Sequence, residues 1–164
     1  EGLQAYFMGC STLVNCEELA LMAATLANKG KNPKTKEEVL GSDLASAVTS
    51  VMMSCGMYNG AGNWMMDVGL PAKSGVSGCL MAVVPGVCGI AVWSPKLNEH
   101  GNTVRGIEAC TSLSKGLNLH VLKKGKGKGT TASMMGKSMM GSTLGKSTMG
   151  HAGTSPADPT KKLL

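Results

Sequence analysis

Two apolar, β-branched runs, Leu80 to Val84 and Val87 to Trp93, are joined only by Pro85-Gly86, and no other feature constrains the fold as strongly. A proline-glycine step between two short apolar runs demands a tight reversal, so they read as a buried antiparallel hairpin. The same break excludes a membrane helix, because no run approaches the ~20 apolar residues that a span requires. A buried hairpin needs cover, and the flanking sequence offers helices. Asn15 stands three residues before Glu18, the pattern of a reciprocal N-terminal cap. Leu19, Met22, Ala23 and Leu26 then recur at helical spacing, and Asn28 to Gly30 ends the run. Ser42 reads as the cap of a second helix, with Leu44, Val48, Val51 and Met52 on one face and Gly56 at its stop. Both helices are expected to turn these faces to the core. Residues 56–70 read as Gly-rich and irregular, and Ala72 to Val76 as an edge strand feeding the hairpin. Asn98 to Asn102 reads as a polar loop, and Thr103 as the cap of a last helix reaching about Asn118. Helices gathered around an antiparallel sheet make the class α+β, not an alternating βαβ array.

The net charge of +6 conceals two unlike segments. Residues 1–122 carry eight Lys and Arg against nine acids, whereas 123–164 carry the other eight basic residues and only Asp158. The first segment reads as the globular part. The second, rich in Gly, Ser, Lys and Met, lacks the apolar content to offset its ordering entropy and is expected to be disordered. A nucleic-acid argument from charge would concern this tail alone. Without aromatics to stack on bases, the tail supports no specific nucleic-acid binding, only a salt-sensitive association with an acidic partner. The chain opens on Glu1 rather than Met, which suggests a fragment or a processed product.

The six cysteines form no C-x-x-C pair and sit in apolar or helical text, where free Cys acts as a small hydrophobe. They suggest a reduced intracellular setting. The histidines at 100, 120 and 151 fall at no metal-ligand spacing, so no metal or other cofactor is expected. Gly136-Lys137-Ser138 and Gly145-Lys146-Ser147 suggest a phosphate loop, but the spacing to the preceding glycine is wrong and no strand leads in. Ser112 and Lys115 satisfy Ser-x-x-Lys on the terminal helix, a spacing that arises often by chance. Lys73-Ser74-Gly75 has the form that lines the cleft of penicillin-recognising serine enzymes from a sheet edge. By itself a turn entering a strand accounts for that triplet equally well.

Its context narrows the choice. Ser54-Cys55-Gly56-Met57-Tyr58, Val68-Gly69-Leu70-Pro71-Ala72-Lys73-Ser74-Gly75-Val76-Ser77-Gly78 and Trp93-Ser94-Pro95 resemble the glutaminase family. So do Tyr6-Phe7, Met22-Ala23-Ala24-Thr25-Leu26-Ala27-Asn28 and Gly101-Asn102-Thr103-Val104-Arg105-Gly106, in the family's order from about Leu3 to His120. The resemblance implies a β-lactamase/transpeptidase-like fold of which this chain holds the C-terminal half. It implies serine-dependent, metal-free hydrolysis of L-glutamine to glutamate and ammonia through a glutamyl-enzyme ester. Tyr58 takes the place of the family's proton-relaying tyrosine, and Val76 that of the residue whose backbone N–H helps form the oxyanion hole. Lys73 and Ser74 belong to the same catalytic strand, Gly75 lets substrate approach it closely, and Tyr6 matches a substrate-contacting tyrosine.

The departures carry equal weight. The family's nucleophilic Ser-x-x-Lys and its substrate-gripping Asn and Glu have no counterpart here and are expected upstream of Glu1. The isolated chain is therefore expected to be inactive and to leave a sheet edge unpaired. The other reading is a non-catalytic remnant whose basic tail binds an acidic partner. The resemblance also implies self-association, as dimer or tetramer, when the protein is full length. It leaves cytoplasmic and mitochondrial locations equally open.

Overall fold

A computed structural model of the protein describes residues 1–123, and the expectation of a disordered basic tail falls, Lys123 apart, outside the described residues. The hairpin is present. Strands β1 (Ala72–Ser74), β2 (Cys79–Val84) and β3 (Cys88–Trp93) form an antiparallel sheet in that order. The β2–β3 register runs from Cys79 opposite Trp93 to Val84 opposite Cys88. Gly86, at φ 72°, takes the left-handed turn position, and Val87 N–H donates to Val84 O at 3.0 Å.

The two-residue period of β2 divides the interior into two layers. Leu80, Ala82 and Val84 point into a large cluster with Met57, Trp64, Val68, Leu70 and Cys110. Val83, with half-buried Met81, points the other way onto Ala23, Ala27 and Met52. Helix α2 (Cys16–Ala27) covers this second face. Its approach is close enough that a Cβ on Gly89 would collide with the backbone of Ala20 and Ala24. The reciprocal cap of α2 is formed: Glu18 N–H donates to Asn15 Oδ1, and Asn15 N–H to Glu18 Oε2, each at 2.9 Å. Helix α5 (Val104–Leu117) serves the first face through Ile107 and Cys110. Thr103 Oγ1 accepts from Gly106 N–H at 3.1 Å, the cap foreseen for it, and Asn118 closes the helix in the left-handed conformation.

Four local expectations need correction. Residues 56–70 are not irregular: Tyr58–Gly60 is a 3-10 turn and α4 (Ala61–Asp67) follows. The glycines mask this helix, which is held by burial of Trp64, whose Nε1–H donates to Leu70 O at 2.7 Å. Helix α3 (Ser42–Cys55) is capped at Gly41, and Ser42 is already helical with no side-chain cap bond. The apolar face read for α3 does not meet the core. Leu44, Val48 and Val51 are exposed, and within α3 only Ala45 and Met52 are buried. The cysteines are not uniformly interior. Cys10, Cys16 and Cys55 are exposed, Cys79 and Cys88 half-buried and Cys110 buried, all as free thiols. Helix α1 (Gly2–Cys10), for which the sequence suggested no element, buries none of its residues. No helix among the described residues is long and apolar enough to cross a membrane.

Candidate active site

The turn after α3 builds one wall of the site. Gly56 is needed there because a side chain would strike the backbone of Ala72 and Met52. Gly56 O accepts from Ser74 N–H at 3.1 Å, pinning the turn to the edge of β1. The next residue but one, Tyr58, adopts φ 51°, a left-handed conformation that a bulky residue takes only when its surroundings hold it. Its ring is thereby presented to solvent, 43% exposed.

Strand β1 supplies the opposing groups by alternation. Lys73 points outward and Ser74 inward, as the two-residue period requires. The Lys73 Nζ lies over the Tyr58 ring, 4.5 Å from its centroid, within cation–π range. Lys73 Nζ also donates to Ser74 O. Ser74 is 3% exposed and donates from Oγ to Asn102 Oδ1 at 2.5 Å. Beyond the strand, Gly75 N–H donates to Cys79 O and Gly78 N–H to Gly75 O, which folds 75–78 into a tight loop. Val76 stands at its tip, 74% exposed, and its backbone N–H has no partner among the described residues.

Gly101 fills the space between these walls. A Cβ there would lie 3.9 Å from Val76 Cγ1 and 4.0 Å from Tyr58 Cε2, so the bare glycine marks where the two side chains converge. Tyr58, the Lys73–Val76 segment and the 98–102 loop are thus brought together from three separate stretches of sequence. Tyr6 belongs to exposed α1. Its phenol is held above the usual tyrosine range by Cys10, one helical turn on, through hydrogen bonding and then charge repulsion. Slight burial and, last, Tyr58 add to this.

Ser112 and Lys115 lie exposed on α5 and contribute nothing to this cluster. Among the described residues no group of three His, Cys, Asp or Glu is placed to hold a metal ion. A cleft of about 620 Å³ runs between α2, α3 and the 32–40 loop. Its lining is overwhelmingly apolar and includes none of Tyr58, Lys73 or Val76, so it lacks the convergent polar groups of a reaction site. Asn102 and Gly101 were named only within a block that resembles the family and were given no role of their own. The pointer available was the Asn98-to-Asn102 polar loop, whose Asn102 is 1% exposed and therefore has interior partners.

A family model described as Glutaminase matches residues 1–122. The chain belongs to the glutaminase family. It is 53% identical over 131 residues to a glutaminase from Nostoc sp., covering 78% of this chain and 39% of that one. To a glutaminase from Trichormus variabilis it is 54% identical over 123 residues, covering 75% of this chain and 37% of that one. It therefore spans about two fifths of the length of these curated relatives. Among solved glutaminases it superposes on the Bacillus subtilis enzyme YbgJ with a TM-score of 0.65 and 36% identity, over 66% of this chain and 40% of that one. That structure is a covalent complex with 5-oxo-L-norleucine, formed by reaction with 6-diazo-5-oxo-L-norleucine. The α+β, β-lactamase-like reading of the sequence holds.

Proposed function

We propose that this chain supplies the sheet side of a glutaminase active site, in a protein that hydrolyses L-glutamine to L-glutamate and ammonia. The observation that carries the proposal is the convergence of the Tyr58 ring, with Lys73 Nζ above it, and the Val76 side chain at Gly101, where the Val76 N–H has no partner among the described residues. In this reading a serine Oγ passes its proton to the lysine of its own Ser-x-x-Lys, which returns it at the end, and attacks the side-chain amide carbon of glutamine, so that the carbonyl oxygen becomes an oxyanion. Val76 N–H faces that oxygen as a preorganised donor, an interaction whose loss typically costs about 10²–10³ in rate. Tyr58 hands a proton to the leaving nitrogen, the C–N bond breaks and ammonia departs. Water then attacks the glutamyl ester, Tyr58 takes a proton from it, and glutamate leaves as the serine regains its proton. Lys73 holds its ammonium above the Tyr58 ring, beside the group through which these protons pass. The covalent complex of the Bacillus subtilis relative supports a nucleophile that bonds to a glutamine-shaped ligand.

The described residues place no Ser-x-x-Lys at this cluster, so the proposal assigns the nucleophile to a further segment of the full-length protein. Tyr6 serves as a substrate contact and Gly75 as the residue that keeps the strand approachable. Self-association of the full-length protein as a dimer or tetramer belongs to the same proposal. Ammonia release from L-glutamine by the full-length protein tests it directly. Release is expected, and no release under conditions in which the Nostoc relative is active overturns the reading.

A further inference from the structure

Beneath the exposed cluster lies one buried side chain that touches both of its walls. Asn102 accepts at Oδ1 from Ser74 Oγ (2.5 Å) and donates from Nδ2 to Met57 O (2.9 Å), the residue immediately before Tyr58. The amide orientation is fixed by chemistry. Met57 O can only accept, so the NH₂ must face it, and the oxygen is left for the Ser74 hydroxyl. The Asn102 backbone is held in turn, its N–H donating to Asn98 Oδ1 at 3.0 Å and its carbonyl accepting from Asn98 N–H at 2.8 Å. A Cβ on Gly60 would come within 3.0 Å of Asn102 Nδ2, so the Tyr58–Gly60 turn rests directly on this amide.

We infer that Asn102 is a positioning residue that sets the spacing of Tyr58 from Lys73 and, through neighbouring Gly101, from Val76. The inference deepens the proposed glutaminase reading and rests on it for its catalytic consequence. Asn102 does not face the cleft; it acts by tying the backbone before Tyr58 to the side chain after Lys73. Tyr58 sits at a positive φ that nothing in its own sequence favours, and a hydrogen bond to the preceding carbonyl is the restraint such a conformation needs.

The informative variant is Asn102→Asp. A neutral Asp reproduces both bonds, its O–H donating to Met57 O and its C=O accepting from Ser74. Burial raises a carboxyl's pKa, and once ionised it loses the donor and opposes the Met57 carbonyl. The titratable groups around the site, Tyr58, Lys73, His100 and Asp67, are common to variant and parent, so the activity ratio at each pH isolates residue 102. In the full-length protein, kcat of the variant relative to the parent is expected within about threefold near pH 5. It should fall to about one hundredth near pH 8 with KM little changed, the scale of a misplacement of about 1 Å. Asn102→Ala, which restores neither bond, should be low at every pH. The ¹³C ring signal of Tyr58, assigned by its loss in Tyr58→Phe, gives a readout independent of turnover and should move in Asn102→Asp as the pH rises. A moving signal in a protein that releases no ammonia preserves the positioning role while the glutaminase reading fails. A fixed Tyr58 signal, or a kcat ratio flat across pH, overturns the inference.

Discussion

The ammonium of Lys73 stands 4.5 Å from the centre of the Tyr58 ring, and the two residues reach that contact from unrelated elements. Lys73 is carried outward by the alternation of β1, and Tyr58 is turned toward it by a left-handed kink after α3. A cation above a phenol does little for stability at an exposed position, about 0.5–1 kcal/mol. Its proposed part is in the chemistry, as a fixed positive charge beside the group that transfers protons. Replacing Lys73 by Met keeps the apolar stem over the ring and removes the charge. The full-length variant should lose about tenfold or more in kcat/KM, in line with the weight of one proton-transfer partner, while its urea midpoint stays in place. A parallel loss of stability would instead mark Lys73 as structural.

Two glycines should respond to alanine in opposite directions. At Gly89 a Cβ would meet the backbone of α2, which cannot yield without lifting the helix from the sheet. Gly89→Ala should cost at least about 1–3 kcal/mol. At Gly62, within α4, nothing lies within 4 Å, and alanine should stabilise by about 0.5–1 kcal/mol through its helix propensity. Urea unfolding of both proteins checks the pair, and equal effects would contradict the packing described for α2.

Much of this fold was legible in the sequence because it is written locally. The Pro85-Gly86 turn, the Asn15–Glu18 cap and the Thr103 cap each involve residues a few positions apart, and each formed as read. The misreadings arose where tertiary contact overrides local signal. Glycines on both sides of Ala61 argue against a helix, yet burial of Trp64 holds one. The apolar spacing of Leu44, Val48 and Val51 resembles a core face, but all three are exposed among the described residues. Tyr58, Lys73 and Val76 were found through motif resemblance. Asn102 stood in one of the resembling blocks but its role was not read, because its partners lie 28 and 45 positions away.

Removing the α5 cap tests how far that helix depends on its first turn. Thr103 is fully buried and its hydroxyl accepts from Gly106. Thr103→Ala should cost about 0.5–2 kcal/mol, whereas Thr103→Ser, which keeps the acceptor, should recover most of it. Equal destabilisation by both would assign the loss to the methyl group's packing.

Burial pushes the Cys110 thiol up to about 11, and burial raises Cys88 as well. The folded protein therefore retains these protons at pH values where the unfolded chain has lost them. Stability should be level with respect to these groups below about pH 9 and fall between about pH 9 and 11. Cys110→Ala should shallow that decline. A thiol reagent should modify exposed Cys10, Cys16 and Cys55 in the native protein and reach Cys110 only on unfolding. Rapid native labelling of Cys110 would contradict its place in the core.

The most direct test of the cluster as the catalytic surface is the steady-state rate of ammonia release from L-glutamine by full-length Tyr58→Phe. The variant keeps the ring beneath Lys73 and removes only a hydroxyl at an exposed position, so the fold should be unchanged. A fall in kcat of about 10²-fold or more, with an unaltered unfolding midpoint, is the predicted result. A variant that turns over at the parent rate would show that the proton passes elsewhere and that Tyr58, Lys73 and Val76 are not the site.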